Sequence, residues 1–90
     1  MEMNEKLKRE LRGRGHALKP VVTIGNAGLN AAVMREIDLS LEHHELMKVK
    51  IASGDRTQRV ATINTLCVKL GARLVQSIGH IALIYRAPKD

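Results

Sequence analysis

Two glycines three residues apart, Gly25 and Gly28, bracket Asn26 and Ala27 directly after the β-branched run Val21-Val22-Thr23-Ile24 and before a segment of helical spacing. A loop at such a junction gathers free backbone N–H groups and the positive end of a helix dipole, a combination that receives anions. Glycine at both ends permits unusual φ values and removes side chains, so a sugar-phosphate backbone can approach the main chain closely. The loop is not a nucleotide-hydrolase phosphate loop, because no Gly-Lys-Ser/Thr follows it. It also lacks the third glycine of a dinucleotide fingerprint. Taken alone, Gly-x-x-Gly is equally compatible with a plain turn between strand and helix.

Cations are placed to extend a phosphate track from this loop. Lys19 lies just before the first strand, and Lys48 and Lys50 lie on a strand predicted to pair with it. The densest cluster is Lys6, Lys8, Arg9, Arg12 and Arg14 near the N-terminus, where Arg9, Arg12 and Arg14 are the expected contacts, although any single one also fits a solvated helix face. Arg56 and Arg59 open a third helix, where cations are poorly matched to the dipole and hint at an external anionic partner. Tyr85 is the only aromatic ring of the Phe, Tyr and Trp class, whereas sheet-surface RNA readers offer two or three. Recognition by shape and backbone, with little base readout, is therefore expected, and Tyr85 fits a half-buried packing role equally well.

Other chemistries find no support in the residue pattern. His43 and His44 are adjacent and diverge at a helix end, His16 and His80 are remote, and no HExxH or Cys/His spacing is present, so no metal site is expected. The histidine pair is more simply read as capping its helix or touching RNA. Cys67, the single cysteine, falls on an apolar helix stripe and reads as a buried structural thiol. Glu36, Asp38, Glu42 and Glu45 lie in a charged, solvated region with no nucleophile beside them, so neither an enzyme nor a cofactor is indicated.

The elements that must position these residues follow from periodicity. Leu7 and Leu11 recur four apart within a basic amphipathic helix from Asn4 to Arg14 that ends at Gly13 or Gly15. Pro20 blocks further helix and leads into a short buried strand. Asn30 is a plausible N-cap, with Leu29 stapling onto Met34 and with Val33, Ile37 and Leu41 giving the apolar face of a second helix. Met47, Val49 and Ile51 alternate with Lys48 and Lys50, the period of a strand with one face buried. Gly54 and Asp55 signal a turn and cap, Val60, Ile63, Cys67 and Leu70 recur at helical spacing, and Gly71 closes that helix. Two β-rich runs, 73–78 and 81–86, form a hairpin around Gly79 and His80, and Pro88 ends the ordered pattern. The order α-β-α-β-α-β-β implies a single α/β domain over 1–90. Its first two strands should be parallel through a right-handed crossover, with the hairpin as the antiparallel edge of a mixed sheet. Strand order is not legible.

Bulk properties agree. Ninety residues at 44% hydrophobic content supply one compact core, built from Leu, Ile, Val, Ala and Met. Fifteen Lys plus Arg against nine Asp plus Glu give a formal charge of +6, which favours polyanionic partners. A peripheral membrane binder would show a long amphipathic helix with bulky anchors, and the longest apolar run, Ile81 to Tyr85, is too short to span a bilayer. With one cysteine no intrachain disulfide can form, and a reducing cytoplasm fits.

Three separated blocks sharpen the picture: Leu18-Lys19-Pro20-Val21-Val22-Thr23-Ile24-Gly25-Asn26-Ala27-Gly28-Leu29, then Leu41 to Ile51 (LEHHELMKVKI), then Ile78 to Arg86 (IGHIALIYR). In this order they resemble the CRM domain, the RNA-binding module of bacterial YhbY proteins and of plant organellar intron-splicing factors. The resemblance covers Lys6 to Arg86. It implies a four-stranded mixed sheet flanked by helices, similar to the C-terminal domain of bacterial translation initiation factor three, with the GxxG loop and nearby basic residues contacting RNA. It further implies association with precursors of the large ribosomal subunit, as for the single-domain members, whose size this chain shares. The short end at Lys89 and Asp90 would leave little basic tail. A monomer binding RNA, without small-molecule substrate or membrane, is expected. The alternatives are a basic subunit that docks on an acidic partner protein, and a small-nucleotide binder.

Overall fold

Each helix of the computed structural model, which describes residues 3–88, begins behind a short polar side chain in extended conformation. The Asn4 side chain accepts from Leu7 N–H at 2.8 Å and opens α1 (Glu5–Gly15), and Asn30 accepts from Val33 N–H at 2.9 Å and opens α2 (Ala31–His44). Asp55 and Gln58 bond reciprocally in a capping box that opens α3 (Arg56–Leu70). Caps of this kind contribute about 1 kcal/mol each. Gly71 ends α3 in the left-handed conformation at φ 65°. The histidines do not close α2. Glu45 does so through its backbone, at φ 64°, with its N–H donating to the Leu41 carbonyl and its own carbonyl accepting from Arg86 N–H.

The strands are β1 (Pro20–Ile24), β2 (Leu46–Ile51), β3 (Arg73–Ile78) and β4 (Ile81–Tyr85), in spatial order β1-β2-β4-β3. β1 and β2 are parallel and the other two pairings are antiparallel, so the sheet is mixed, with hairpin strand β3 at one edge and β4 inside. Strand alternation sorts the side chains by face. On one face Val22, Ile24, Met47, Val49, Ile51, Ala82 and Ile84 meet Ile37 and Leu41 of α2 and Ile63 and Leu66 of α3. On the other, Leu46, Leu83 and Tyr85 meet Leu11 of α1, joined by Val75, which a register shift between Leu74 and Gln76 accommodates. Complete burial of Leu11 stabilises the docked helix by about 2 kcal/mol.

α1 covers only part of its face. Its last residue, Gly15, approaches so closely that a Cβ there would lie 2.6 Å from a Leu83 methyl. The helix stops at that level. Beyond it, Thr23, Lys50 and Ile78 are exposed, Ile78 at 66%.

Three sequence expectations change. Val60, expected on the α3 core stripe, is half exposed, and Cys67 is only partly buried. Asp38 is not merely solvated: its carboxylate lies 2.6 Å from Arg86 Nη1, which also donates to the Leu70 carbonyl at 3.1 Å, while Nη2 donates to the Asp38 carbonyl. One guanidinium thus ties the end of β4 to α2 and to the last turn of α3. The expectation about Lys89 and Asp90 lies outside the described residues.

Arg86 is the more buried partner, so replacing it orphans the Leu70 and Asp38 carbonyls together. Arg86→Met should lower stability by about 2 kcal/mol, and Asp38→Asn, at a half-exposed position, by less. Urea unfolding midpoints at unchanged m-value read both.

Candidate nucleic-acid interface

Parallel pairing of β1 and β2 brings the loops that follow both strands to one end of the sheet. The Ile24 carbonyl accepts from Ala52 N–H at 2.8 Å, and the Gly25 carbonyl accepts from the Ser53 hydroxyl at 3.1 Å. The β3–β4 hairpin joins them: Ile51 N–H donates to the His80 carbonyl at 2.8 Å, and His80 Nδ1 lies 2.8 Å from the Ile51 carbonyl. Ser53, to which sequence reasoning gave no role here, ties the glycine turn to the connection after β2, and His80 ties the end of β2 to the hairpin. The signal for Ser53 was the parallel pairing itself, which obliges the two loops to meet.

Within the turn, Gly28 N–H donates to the Gly25 carbonyl at 3.0 Å, and Asn30 N–H to the Gly28 carbonyl. Those donors are therefore committed, as is Val33 N–H to its cap. The exposed N–H groups of Asn26 and Ala27, and of Ala31 and Ala32 in the first turn of α2, have no protein acceptor among the described residues. No acidic side chain lies in that turn to compete for them. Four donors and a helix dipole at one exposed corner suit a phosphate.

The two glycines are not equivalent. Gly28 has φ +71°, a conformation that a side chain strains, whereas Gly25 has no positive φ and a Cβ there would meet nothing within 4 Å. The expectation of unusual φ holds for Gly28 alone. At Gly25 neither packing nor a positive φ demands glycine.

The cations lie at three positions, two on the α1 face of the sheet and one beside its β1 edge. Lys50 pairs in register with Thr23, near the loop end, and is exposed. Lys48 pairs with Pro20, donates its Nζ to the Leu18 carbonyl at 3.1 Å, and shares a recess with Arg12, His16, Gln76 and Ile78. Arg14 and Lys19 share a second recess with Leu18 and Val21. Lys19 precedes the first residue of β1, so it stands about 20 Å from the glycine turn rather than beside it. Arg9 is exposed on α1 and lines neither recess. Lys50, Lys48 with Arg12, and Arg14 with Lys19 thus form a descending track, with Arg9 outside it.

Tyr85 packs against Leu11 and Leu46 and is only 9% exposed, so its ring is not a stacking platform. Burial pushes the Cys67 thiol above its ordinary pKa, with the Arg73 guanidinium pulling the other way, so the thiol is protonated at neutral pH and a poor nucleophile. Among the described residues no three His, Cys, Asp or Glu side chains gather as a metal site would require, and no helix is long and apolar enough to cross a membrane.

Comparison with known proteins gives a consistent picture. The model of the CRS1/YhbY (CRM) domain matches residues 3–86. A Haemophilus influenzae protein named an RNA-binding protein is 42% identical over 88 residues, 98% of this chain and 89% of its own length. A Pseudomonas aeruginosa protein named a probable RNA-binding protein is 41% identical over 86 residues, covering 96% and 83% of the two chains. A solution structure from Staphylococcus aureus, offered as a candidate RNA-binding protein, superimposes with a TM-score of 0.85 at 34% identity over 99% of this chain and 93% of that one.

The asymmetry of the two glycines is measurable without any ligand. Gly28→Ala should cost about 1 kcal/mol in strain, and Gly25→Ala should leave the unfolding midpoint within about 0.5 kcal/mol of the parent. Thermal or urea unfolding of the two variants side by side checks the difference.

Proposed function

The chain belongs to the CRS1/YhbY (CRM) domain family, and from that footing we propose that it is a non-catalytic RNA-binding protein whose glycine turn receives the RNA backbone. The observation that carries this reading is Gly25, a glycine that the fold itself does not require, set where four N–H groups have no protein acceptor among the described residues. Phosphate oxygens accept from Asn26, Ala27, Ala31 and Ala32, and a side chain at Gly25 would stand in their path.

Lys50 and then Lys48 with Arg12 continue the contact down the uncovered half of the sheet, where Ile78 and Ile81 supply apolar surface without a stacking ring. Arg14 and Lys19 extend it to the far end, and Arg9 adds charge to the field rather than a direct contact. Such an interface reads shape and backbone charge, not base identity. The names of the relatives support RNA as the partner. Acting as a monomer in the cytoplasm, the protein binds ribosomal RNA in precursors of the large subunit; this narrower assignment rests on the resemblance of the three sequence blocks.

Gly25→Asp places a carboxylate at the turn without a packing conflict, so it should fold normally and lose most RNA affinity. Fluorescence anisotropy with large-subunit ribosomal RNA fragments checks this, and undiminished binding by a folded Gly25→Asp variant removes the turn from the interface. Lys50→Gln, which breaks no recorded hydrogen bond, should make the salt dependence of binding shallower by about one contact. Crosslinking in cells followed by sequencing identifies the RNA, and recovery of messenger or transfer RNA alone would contradict the ribosomal assignment.

A further inference from the structure

The loop end carries a second cationic site, which the glycine turn does not use. On the other side of the Ser53–Asp55 connection, the first turn of α3 faces the β3–β4 hairpin across a recess of about 450 Å³ lined by Arg56, Arg59, Val60, Ile63, Ser77 and Gly79. Ser77 pairs with Ala82 and so lies on the helix-covered face, where the aliphatic layer of Ile63 and Ala82 gives way to a hydroxyl and then to a glycine. Val60 keeps helical spacing with the core yet is 49% exposed, because it forms a wall of this recess.

Neither arginine has a carboxylate partner: among the described residues the one ion pair joins Arg86 to Asp38. Asp55, adjacent in the chain, accepts from Gln58 N–H instead. Arg59 is held in place, with Nη1 donating to the Gly54 carbonyl at 3.1 Å, while its Nε is closed off from solvent with no acceptor. An unpartnered, desolvated guanidinium N–H is unfavourable, and so is a cation at the positive end of a helix dipole. The fold keeps Arg59 over the recess against both effects, and an anion entering the recess would offset the second.

We propose that Arg56, Arg59 and Ser77 form a second phosphate subsite, which takes a phosphodiester of the same RNA strand whose backbone crosses Gly25–Gly28. The inference rests on the RNA-binding reading. The guanidinium fork matches two phosphate oxygens, the Ser77 hydroxyl donates a further bond, and the Val60 and Ile63 walls lower the local dielectric so that each contact is stronger than on open surface. Two subsites on either side of the Ser53–Asp55 loop clamp the strand at two points and fix its direction across the end of the sheet. One point leaves that direction free.

The test uses the full chain with a labelled single-stranded RNA of mixed sequence, titrated from 50 to 200 mM salt. Arg56→Gln, Arg59→Gln, the double variant and Ser77→Ala are compared with Lys69→Gln, a charge-matched control for each single substitution at the far end of α3. The double variant should bind about tenfold more weakly, and its logarithmic salt slope should be shallower by about 1.4, two contacts at about 0.7 each. The Arg59 Nε–Hε NMR resonance should move on adding RNA. A double variant whose affinity and slope match those of Lys69→Gln overturns the subsite while leaving the glycine turn standing. A wild-type chain that binds no RNA overturns the RNA reading and this inference with it. A resonance that moves with inorganic phosphate but not with RNA shows a free-anion site, and also overturns the proposal. Arg59→Gln gives up the bond to the Gly54 carbonyl but also removes both unfavourable effects, and Arg56 makes no such bond, so urea midpoints no lower than that of the parent are expected; a lowered one redirects the measurement to Ser77→Ala, whose retained affinity would equally overturn the subsite.

Discussion

A core without Phe or Trp must be closed by aliphatic layers on both faces of the sheet, and that requirement governs where everything else in this molecule can be. α2 and α3 seal one face along its length. α1, eleven residues long, seals only the half of the other face that holds Leu46, Val75, Leu83 and Tyr85, with Leu11 as its buried anchor. The uncovered half is where the alternation of β2 delivers Lys48 and Lys50. A longer first helix would bury those lysines; without α1, Leu83 and Tyr85 would be exposed to water. The proposed interface is the part of the sheet that the core does not need covered.

The second consequence concerns the loops. Because β1 and β2 run parallel, the glycine turn and the Ala52–Asp55 connection emerge side by side, and backbone and Ser53 hydrogen bonds join them. The β3–β4 hairpin meets the same end through His80. A short turn that would flex if isolated is thus tied at its start to the neighbouring connection, which restricts its motion. Pre-organisation of this kind reduces the ordering cost of binding. At the opposite end, Arg86 holds β4, α2 and α3 together.

Much of this was legible in local sequence because local chemistry decides it. Asn4, Asn30 and Asp55 cap the helices as their side chains allow, Gly71 ends α3 for conformational reasons, and the alternation from Met47 to Ile51 sorts the two faces correctly. What was not legible depends on tertiary neighbours. Strand order places β4 inside, and no pairwise pattern announces that. Lys19 read as near the turn because sequence distance was taken for spatial distance along an extended strand. Arg9 was indistinguishable from Arg12 until the helix docked. Val60 kept a core periodicity but faces a recess, and Asp38 was counted with solvated carboxylates because its partner lies 48 residues away. Glu45, a non-glycine residue at positive φ, is held there by bonds to Leu41 and Arg86 that only the folded chain supplies.

The central claim is that RNA is received at the end of the sheet by a turn whose glycine is kept bare for that purpose. Backbone amide NMR mapping during RNA titration tests it most directly. The account predicts that Asn26, Ala27, Ala31 and Ala32 shift first and furthest, followed by Lys50 and its neighbours on the uncovered sheet. Shifts confined to the N-terminal helix, with those four amides unmoved at saturation, would contradict it.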